Sequence, residues 1–182
     1  LMPYLHLPAQ TGSDRILQAM NRRYSASQYL EIVEKVRSIR PDIALSGDFI
    51  VGFPGETDKD FDATLQLASK AKFAQAYSFK YSPRPGTPAA ELGDFVATTT
   101  SDERLSELQK LLNQQQLDFN RRMEGKTLPI LFERLGKHKG QLVGRTPYMQ
   151  AVHVDAANTF LGRLTKVKIV AGFSNSLAGE IM

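Results

Sequence analysis

The chain of 182 residues has no cysteine. Within these residues that excludes disulfides and thiolate-held metal. Its three histidines, His6, His138 and His153, are scattered without metal-ligand spacing, and no Ser/His/Asp set stands out. No stretch approaches the roughly 20 apolar residues that a membrane span needs. Leu1 to Gln10 lacks the basic n-region of a secretory signal. These absences lead us to expect a cytoplasmic protein that stays off membranes. The chain opens Leu1-Met2-Pro3 and enters a strand pattern almost at once, so we expect a segment of a longer protein.

What is present is ordinary for a globular protein: 42% hydrophobic and 23% charged residues, at a length that suits one large domain or two small ones. The net charge of +4 is uneven. Residues 1–125 hold 15 basic and 16 acidic residues, and residues 126–182 hold 8 basic and 3 acidic. A basic tail suits RNA or DNA binding, and equally a surface kept basic for solubility.

Three apolar, strand-like runs feed straight into polar loops rich in Gly or Pro. Tyr4 to Leu7 precedes Gln10-Thr11-Gly12-Ser13-Asp14. Asp48 to Val51 precedes Gly52-Phe53-Pro54-Gly55-Glu56-Thr57, and Tyr77 to Tyr81 precedes Ser82-Pro83-Arg84-Pro85-Gly86-Thr87-Pro88. In a parallel sheet or barrel such loops share the rim at the carboxyl ends of the strands, where active sites are built. Ser13 caps a helix expected to reach Arg23. Ser25 and Gln28 form a capping box for a second helix with Ile32, Val33, Val36 and Ile39 on its apolar face. Pro41 stops it, and Ile43 to Val51 reads as a strand buried on both faces. Thr57 caps a third helix with Phe61, Leu65 and Ala68 inward. The order β-α-α-β-α-β argues for parallel strands.

After a connector over 93–100, Ser101 caps a long helix to about Met123, and Gly125 ends it. From Lys126 short alternating runs follow, separated by Gly, Pro and Asn, which predicts a small antiparallel barrel or sandwich. The expected domains are therefore 1–125 and 126–182.

The loop from Gly52 to Thr57 opens a helix. Glycines there let a backbone approach a ligand, and the helix N-terminus favours an anion, but a plain connector also uses Gly and Pro to turn. Asp48 inside a buried strand needs partners, whether structural or functional. Three prolines stiffen the 81–88 segment and hold Arg84 extended, which favours a phosphate or carboxylate contact. His6 in its apolar strand reads as a satisfied core histidine. In the tail, Lys166 and Lys168 share one face of a strand whose other face is aliphatic, and Arg145 and Tyr148 follow another strand. That pattern suits RNA, or simply the wet side of a half-buried sheet.

Leu5-His6-Leu7-Pro8-Ala9-Gln10-Thr11-Gly12-Ser13-Asp14, Met20-Asn21-Arg22-Arg23, Asp48 to Thr57, and Tyr81 to Ala89 resemble, in order and spacing, the radical-SAM methylthiotransferases. Gly144-Arg145-Thr146 and Asn175-Ser176-Leu177, with Gly179-Glu180, resemble the TRAM domain that ends them. The resemblance implies an α/β fold: the C-terminal part of a radical-SAM (β/α) partial barrel, then a small antiparallel β-barrel TRAM domain. The Arg-Pro of the 81–88 loop looks most like the members that act on tRNA. These add a methylthio group to C2 of N6-isopentenyladenosine beside the anticodon. The alternatives are a relative that modifies a ribosomal protein, or a tRNA-binding protein without catalysis.

In the family a [4Fe-4S] cluster cleaves S-adenosylmethionine (SAM) to a radical that takes hydrogen from C2, and a second cluster supplies a methylated sulfur. The resemblance thus implies SAM, two [4Fe-4S] clusters, an electron donor, tRNA as partner and a monomer. By position, Gln10, Ser13, Asp48, Gly52 and Gly55 match the SAM-binding stretches. Tyr81 and Arg84 match the substrate loop, and Arg145, Tyr148, Lys166 and Lys168 fall to RNA. The cluster cysteines are absent and are expected before Leu1. The chain alone is expected to bind no iron and turn nothing over, which stoichiometric iron in the purified chain would overturn. A barrel cut there leaves an unpaired strand edge, open to edge-to-edge pairing.

Overall fold

The computed structural model describes residues 2–182. They divide into two compact units, residues 5–113 and residues 114–182 with residues 2–4.

The first unit is built on three strands, β1 (Tyr4–His6), β2 (Ala44–Val51) and β3 (Gln75–Lys80), in the order β1-β2-β3. β2 and β3 pair in parallel from Ser46 against Gln75 to Val51 against Lys80. Gln10, just beyond β1, makes a parallel bridge to Phe49. Helices α1 (Asp14–Ala19), α2 (Ala26–Ile39) and α3 (Asp58–Ala71) fill the crossovers. Leu45, Phe49 and Val51 of β2 meet Tyr29 and Val33 of α2, Phe61, Leu67 and Ala68 of α3, and Leu108 and Leu112 of α5 (Thr98–Arg121) in one core. Phe49 stands edge-on to Phe73 at 5.4 Å. Each such buried side chain contributes about 1.5–3 kcal/mol.

Local differences from the sequence reading have local causes. α1 ends at Ala19, short of Arg23, because Asn21 turns left-handed at φ +56°. The capping box at Ser25 is formed, but α2 buries Tyr29 and Val33 while Ile32 and Ile39 are 46% and 78% exposed. Tyr29 takes the inward stripe because its hydroxyl also reaches the Leu7 carbonyl at 2.8 Å. A short helix α4 (Pro88–Glu91) starts where Pro88 pre-sets the first turn. α5 begins before Ser101, which lies inside it.

The second unit holds the end of α5 and a closed barrel, β4 (Thr127–Leu135), β5 (Gln141–Arg145), β6 (Ala151–Asp155), β7 (Leu164–Gly172) and β8 (Leu177–Ile181), in the order β4-β5-β6-β8-β7. A 3-10 turn (Asn158–Phe160) precedes β7. β6 and β8 pair in parallel and the other strands antiparallel, so the barrel is not wholly antiparallel. Ile130, Phe132, Leu142, Val152, Val154, Val167, Ile169 and Leu177 fill the interior. Closure leaves no unpaired edge here. Gly172 lies against α5, where a Cβ would stand 2.6 Å from the Asn120 carbonyl carbon. The Asn120 amide donates to the Phe173 carbonyl and accepts from Gln150, both at 2.5 Å. Among the described residues no helix is long and apolar enough to cross a membrane.

Candidate functional site

Strand alternation splits β2 between two environments. Leu45, Gly47, Phe49 and Val51 face the helices and are buried, whereas Asp48 and Ile50 on the other face are only half-buried. Beside them in register stand Tyr77 and Phe79, 48% and 55% exposed. The sheet thus has one packed face and a second face that is buried at Ala44 and Ser46 and opens toward the carboxyl ends of the strands.

His6 stands on that open face. Its Nδ1 lies 2.8 Å from Ser46 Oγ and its Nε2 3.3 Å from Asp48 Oδ2. The His6 and Asp48 side chains are 41% and 31% exposed, so His6 is not the core residue that its apolar neighbours suggest. Gln10 closes the row at φ +67°, left-handed for a non-glycine. Such a residue costs of order 1–3 kcal/mol and persists where its surroundings fix it. Here the Gln10 amide donates to the Asp48 carbonyl, and the Ile50 amide to the Gln10 carbonyl, each at 2.8 Å.

The two rim loops are tied to each other from beneath. Asp60, in the first turn of α3, accepts from Ser13 Oγ (2.6 Å), Thr57 Oγ1 (2.6 Å) and the Thr57 amide (2.9 Å), and pairs with Arg15. Arg15 also donates to the Gly55 carbonyl at 2.7 Å. Burial opposes ionisation of Asp60, but the hydrogen bonds from Arg15, Ser13 and Thr57 outweigh it and hold the carboxyl well below its usual range. Ser13 caps α1 as well, so its hydroxyl is engaged on both sides.

The loop from Gly52 to Thr57 spends its donors internally. Gly52 N donates to Glu56 Oε1 (3.0 Å), Gly55 N to the Asp94 carbonyl (2.6 Å) and Glu56 N to the Phe53 carbonyl (2.9 Å). Gly52 sits at φ +70°, and a Cβ there would stand 2.4 Å from Ser101 Oγ. Glycine is therefore demanded by the turn and by α5. Glu56 is 1% exposed and pairs with Arg104 of α5 at 2.8 Å, and Arg104 reaches Asp58 at 2.6 Å. Burial pushes the Glu56 carboxyl up, and the Gly52 amide and Arg104 offset part of that.

At the third loop a cleft of about 510 Å³ is lined by Ile50, Phe79, Tyr81, Arg84 and Thr87 among others. Tyr81 stands edge-on to Phe53 at 5.1 Å. Its hydroxyl is buried with no hydrogen-bond partner among the described residues. Arg84 is exposed, in a turn closed by Thr87 Oγ1 on the Arg84 carbonyl at 2.7 Å.

On the barrel, Lys166 and Lys168 project from β7 while Val167 and Ile169 fill the interior. Arg145 pairs with Glu133 at 3.3 Å and donates to the Met149 carbonyl at 2.9 Å. The Tyr148 ring, expected from the resemblance to contact RNA, packs edge-on to Phe119 at 6.0 Å. His6 was read as a core histidine, and Glu56, Asp60 and Arg104 were given no site role from the sequence. Arg104 lies 48 positions from Glu56, and no local pattern marks such a pair.

Residues 2–68 match the Radical SAM superfamily and residues 121–182 the TRAM domain. The chain therefore carries part of a radical SAM domain followed by a TRAM domain. Over 181 residues, all of this chain, it is 54% identical to the tRNA-2-methylthio-N(6)-dimethylallyladenosine synthase of Agrobacterium fabrum. It spans 40% of that protein's length. Coproporphyrinogen III oxidase of Escherichia coli, a radical SAM enzyme, aligns with a TM-score of 0.53 at 20% identity, over 62% of this chain and 27% of its own. That likeness shows the fold alone.

Proposed function

We propose that this chain is part of a tRNA methylthiotransferase acting on C2 of N6-isopentenyladenosine beside the anticodon. The observation that carries this is the 54% identity to the Agrobacterium synthase over all of this chain. SAM, with a reduced [4Fe-4S] cluster, would supply the radical initiator.

The open face suits SAM. Asp48 offers a half-exposed carboxylate for an ammonium or ribose hydroxyls, with its orientation set by His6. Ile50 offers apolar contact to a purine, and Gln10 is held in a strained turn beside both. Ser13, Gly52 and Gly55 serve that face by fixing the loops. Tyr81 and Arg84 line the cleft where the tRNA substrate would enter. Arg84 suits a phosphate, and the exposed Phe79 suits a base.

The residues do not fit an iron–sulfur cluster. There is no cysteine, and among the described residues no group of three or more His, Cys, Asp or Glu could hold a metal. Ligands for the two clusters, and the electron donor, would come from outside these residues.

The test is to graft this chain in place of the aligned segment of the Agrobacterium synthase. Nucleosides from its tRNA are then read by mass spectrometry. The methylthio mark is expected, and Asp48→Asn should lower both the mark and SAM binding in equilibrium dialysis. A folded chimera with its cluster absorbance intact and no mark would sink the proposal.

A further inference from the structure

The first turns of α5 lie between the two segments that the family models cover. Leu105, Leu108 and Leu112 turn one stripe of this helix into the core. Ser101, one turn earlier on that stripe, fills the space beside Gly52 that a Cβ would need. On one flank of the stripe, Asp102 takes the Lys80 ammonium at 2.6 Å, at the end of β3. On the other flank, Arg104 reaches the loop after β2. One helix thus holds two rim loops.

Arg104 does so through Glu56. Its Nη1 donates to the Glu56 carbonyl (3.2 Å) and to Glu56 Oε1 (2.8 Å), and its Nη2 to Asp58 Oδ1 (2.6 Å). Glu56 Oε1 accepts from Gly52 N as well, and Glu56 N donates to the Phe53 carbonyl. Glu56 therefore closes the 52–56 turn twice, by its backbone and by its carboxylate, and Arg104 aims the carboxylate. Phe53, in the middle of the turn, is buried and stands edge-on to Tyr81. Tyr81 and Ile50, just before the turn, line the cleft, which neither Glu56 nor Arg104 does. The shape of the turn thus sets the wall of the cleft.

A buried ion pair is a poor source of stability, since an apolar pair of similar volume often does as well. An apolar pair cannot give an oriented acceptor to the Gly52 amide. Arg104 Nε is buried with no hydrogen-bond partner among the described residues, so the guanidinium leaves one donor unmet while its other two nitrogens serve the loop.

We propose that Arg104 is a positioning residue for SAM. Through Glu56 it fixes the turn beside Ile50, and with it the apolar wall on which the purine packs. This rests on the proposal that the chain binds SAM.

The test uses the Agrobacterium chimera that carries this chain, with SAM binding read by equilibrium dialysis and thermal melts run in parallel. R104M/E56M removes both charges and should melt within a few degrees of the parent, yet raise the Kd for SAM about 10-fold. R104K keeps the cation but not the fork, and should raise Kd about fivefold. In turnover the KM for SAM should rise with Kd, and kcat should change less. SAM binding within about twofold of the parent, in R104K or in a folded R104M/E56M, would overturn the proposal and leave the pair to the scaffold alone. An unaltered chimera that does not bind SAM would overturn the SAM reading itself.

Discussion

In the α/β unit a set of charges beneath the first two rim loops is buried. Glu56, Asp60 and Arg104 are buried and held by ion pairs and by backbone amides, with Arg104 Nε left without a hydrogen-bond partner among the described residues. In the barrel the interior is apolar, and the excess of positive charge lies on the outside, most of it without partners. The same residue types are scaffold in one unit and remain on the surface in the other. What separates them is desolvation: a buried charge must be paired, whereas an exposed one is free for a partner.

The sharpest test of this contrast is Arg104→Ala. It leaves Glu56, at 1% exposure, buried without its cation, and should cost about 3–5 kcal/mol in urea unfolding. The double variant Arg104→Met with Glu56→Met should recover most of that, because it removes both charges. A loss below about 1 kcal/mol for the single variant would mean that the pair is not a scaffold element.

Asp60→Ala comes next. It removes a cap and a charge-assisted link between two loops, worth about 2–3 kcal/mol. The pH dependence has a definite sign. Asp60 is held below its unfolded value, so its contribution is present above about pH 4 and fades as pH falls further. Glu56 is pushed up, so its contribution is full below its unfolded value and lost as pH rises through the folded one. Asp60→Asn should flatten the acid limb of the melting temperature plotted against pH. Glu56→Gln should lessen the loss on the rising side.

Gly52→Ala is expected to cost about 1–2 kcal/mol, from the left-handed backbone and the approach to Ser101. Ser101→Gly should restore the steric part but not the backbone part, as read by thermal melts of the single and double variants. Smallest of all, Arg145→Ala should lose no more than about 1 kcal/mol despite its ion pair, because both partners are roughly half exposed. Lys166→Ala and Lys168→Ala should stay within about 0.5 kcal/mol in the same melts. A barrel variant costing as much as Arg104→Ala would break the contrast.

Much of the fold was legible because it is local. Caps at Ser13, Ser25 and Thr57, the stop before Pro41 and the alternation around Lys166 are set by neighbours a few positions apart. β8 was missed as a strand because Leu177–Ile181 is short and glycine-bearing, and its place depends on pairing with β6 and β7. The loop at Gly52 was visible as a motif, yet its meaning was open. A glycine kept for a ligand and a glycine kept for Ser101 look the same in sequence.

By itself, then, the sequence determined the order of elements, the loops that share a rim and the basic character of the tail, since periodicity, caps and charge are properties of the chain. Tertiary structure alone decided which polar groups are used up inside and which remain for a partner. It turned His6 toward Asp48, buried Glu56 under Arg104 and set Tyr148 against Phe119. The physical reason is that desolvation and pairing depend on contacts between residues tens of positions apart, which no local pattern encodes.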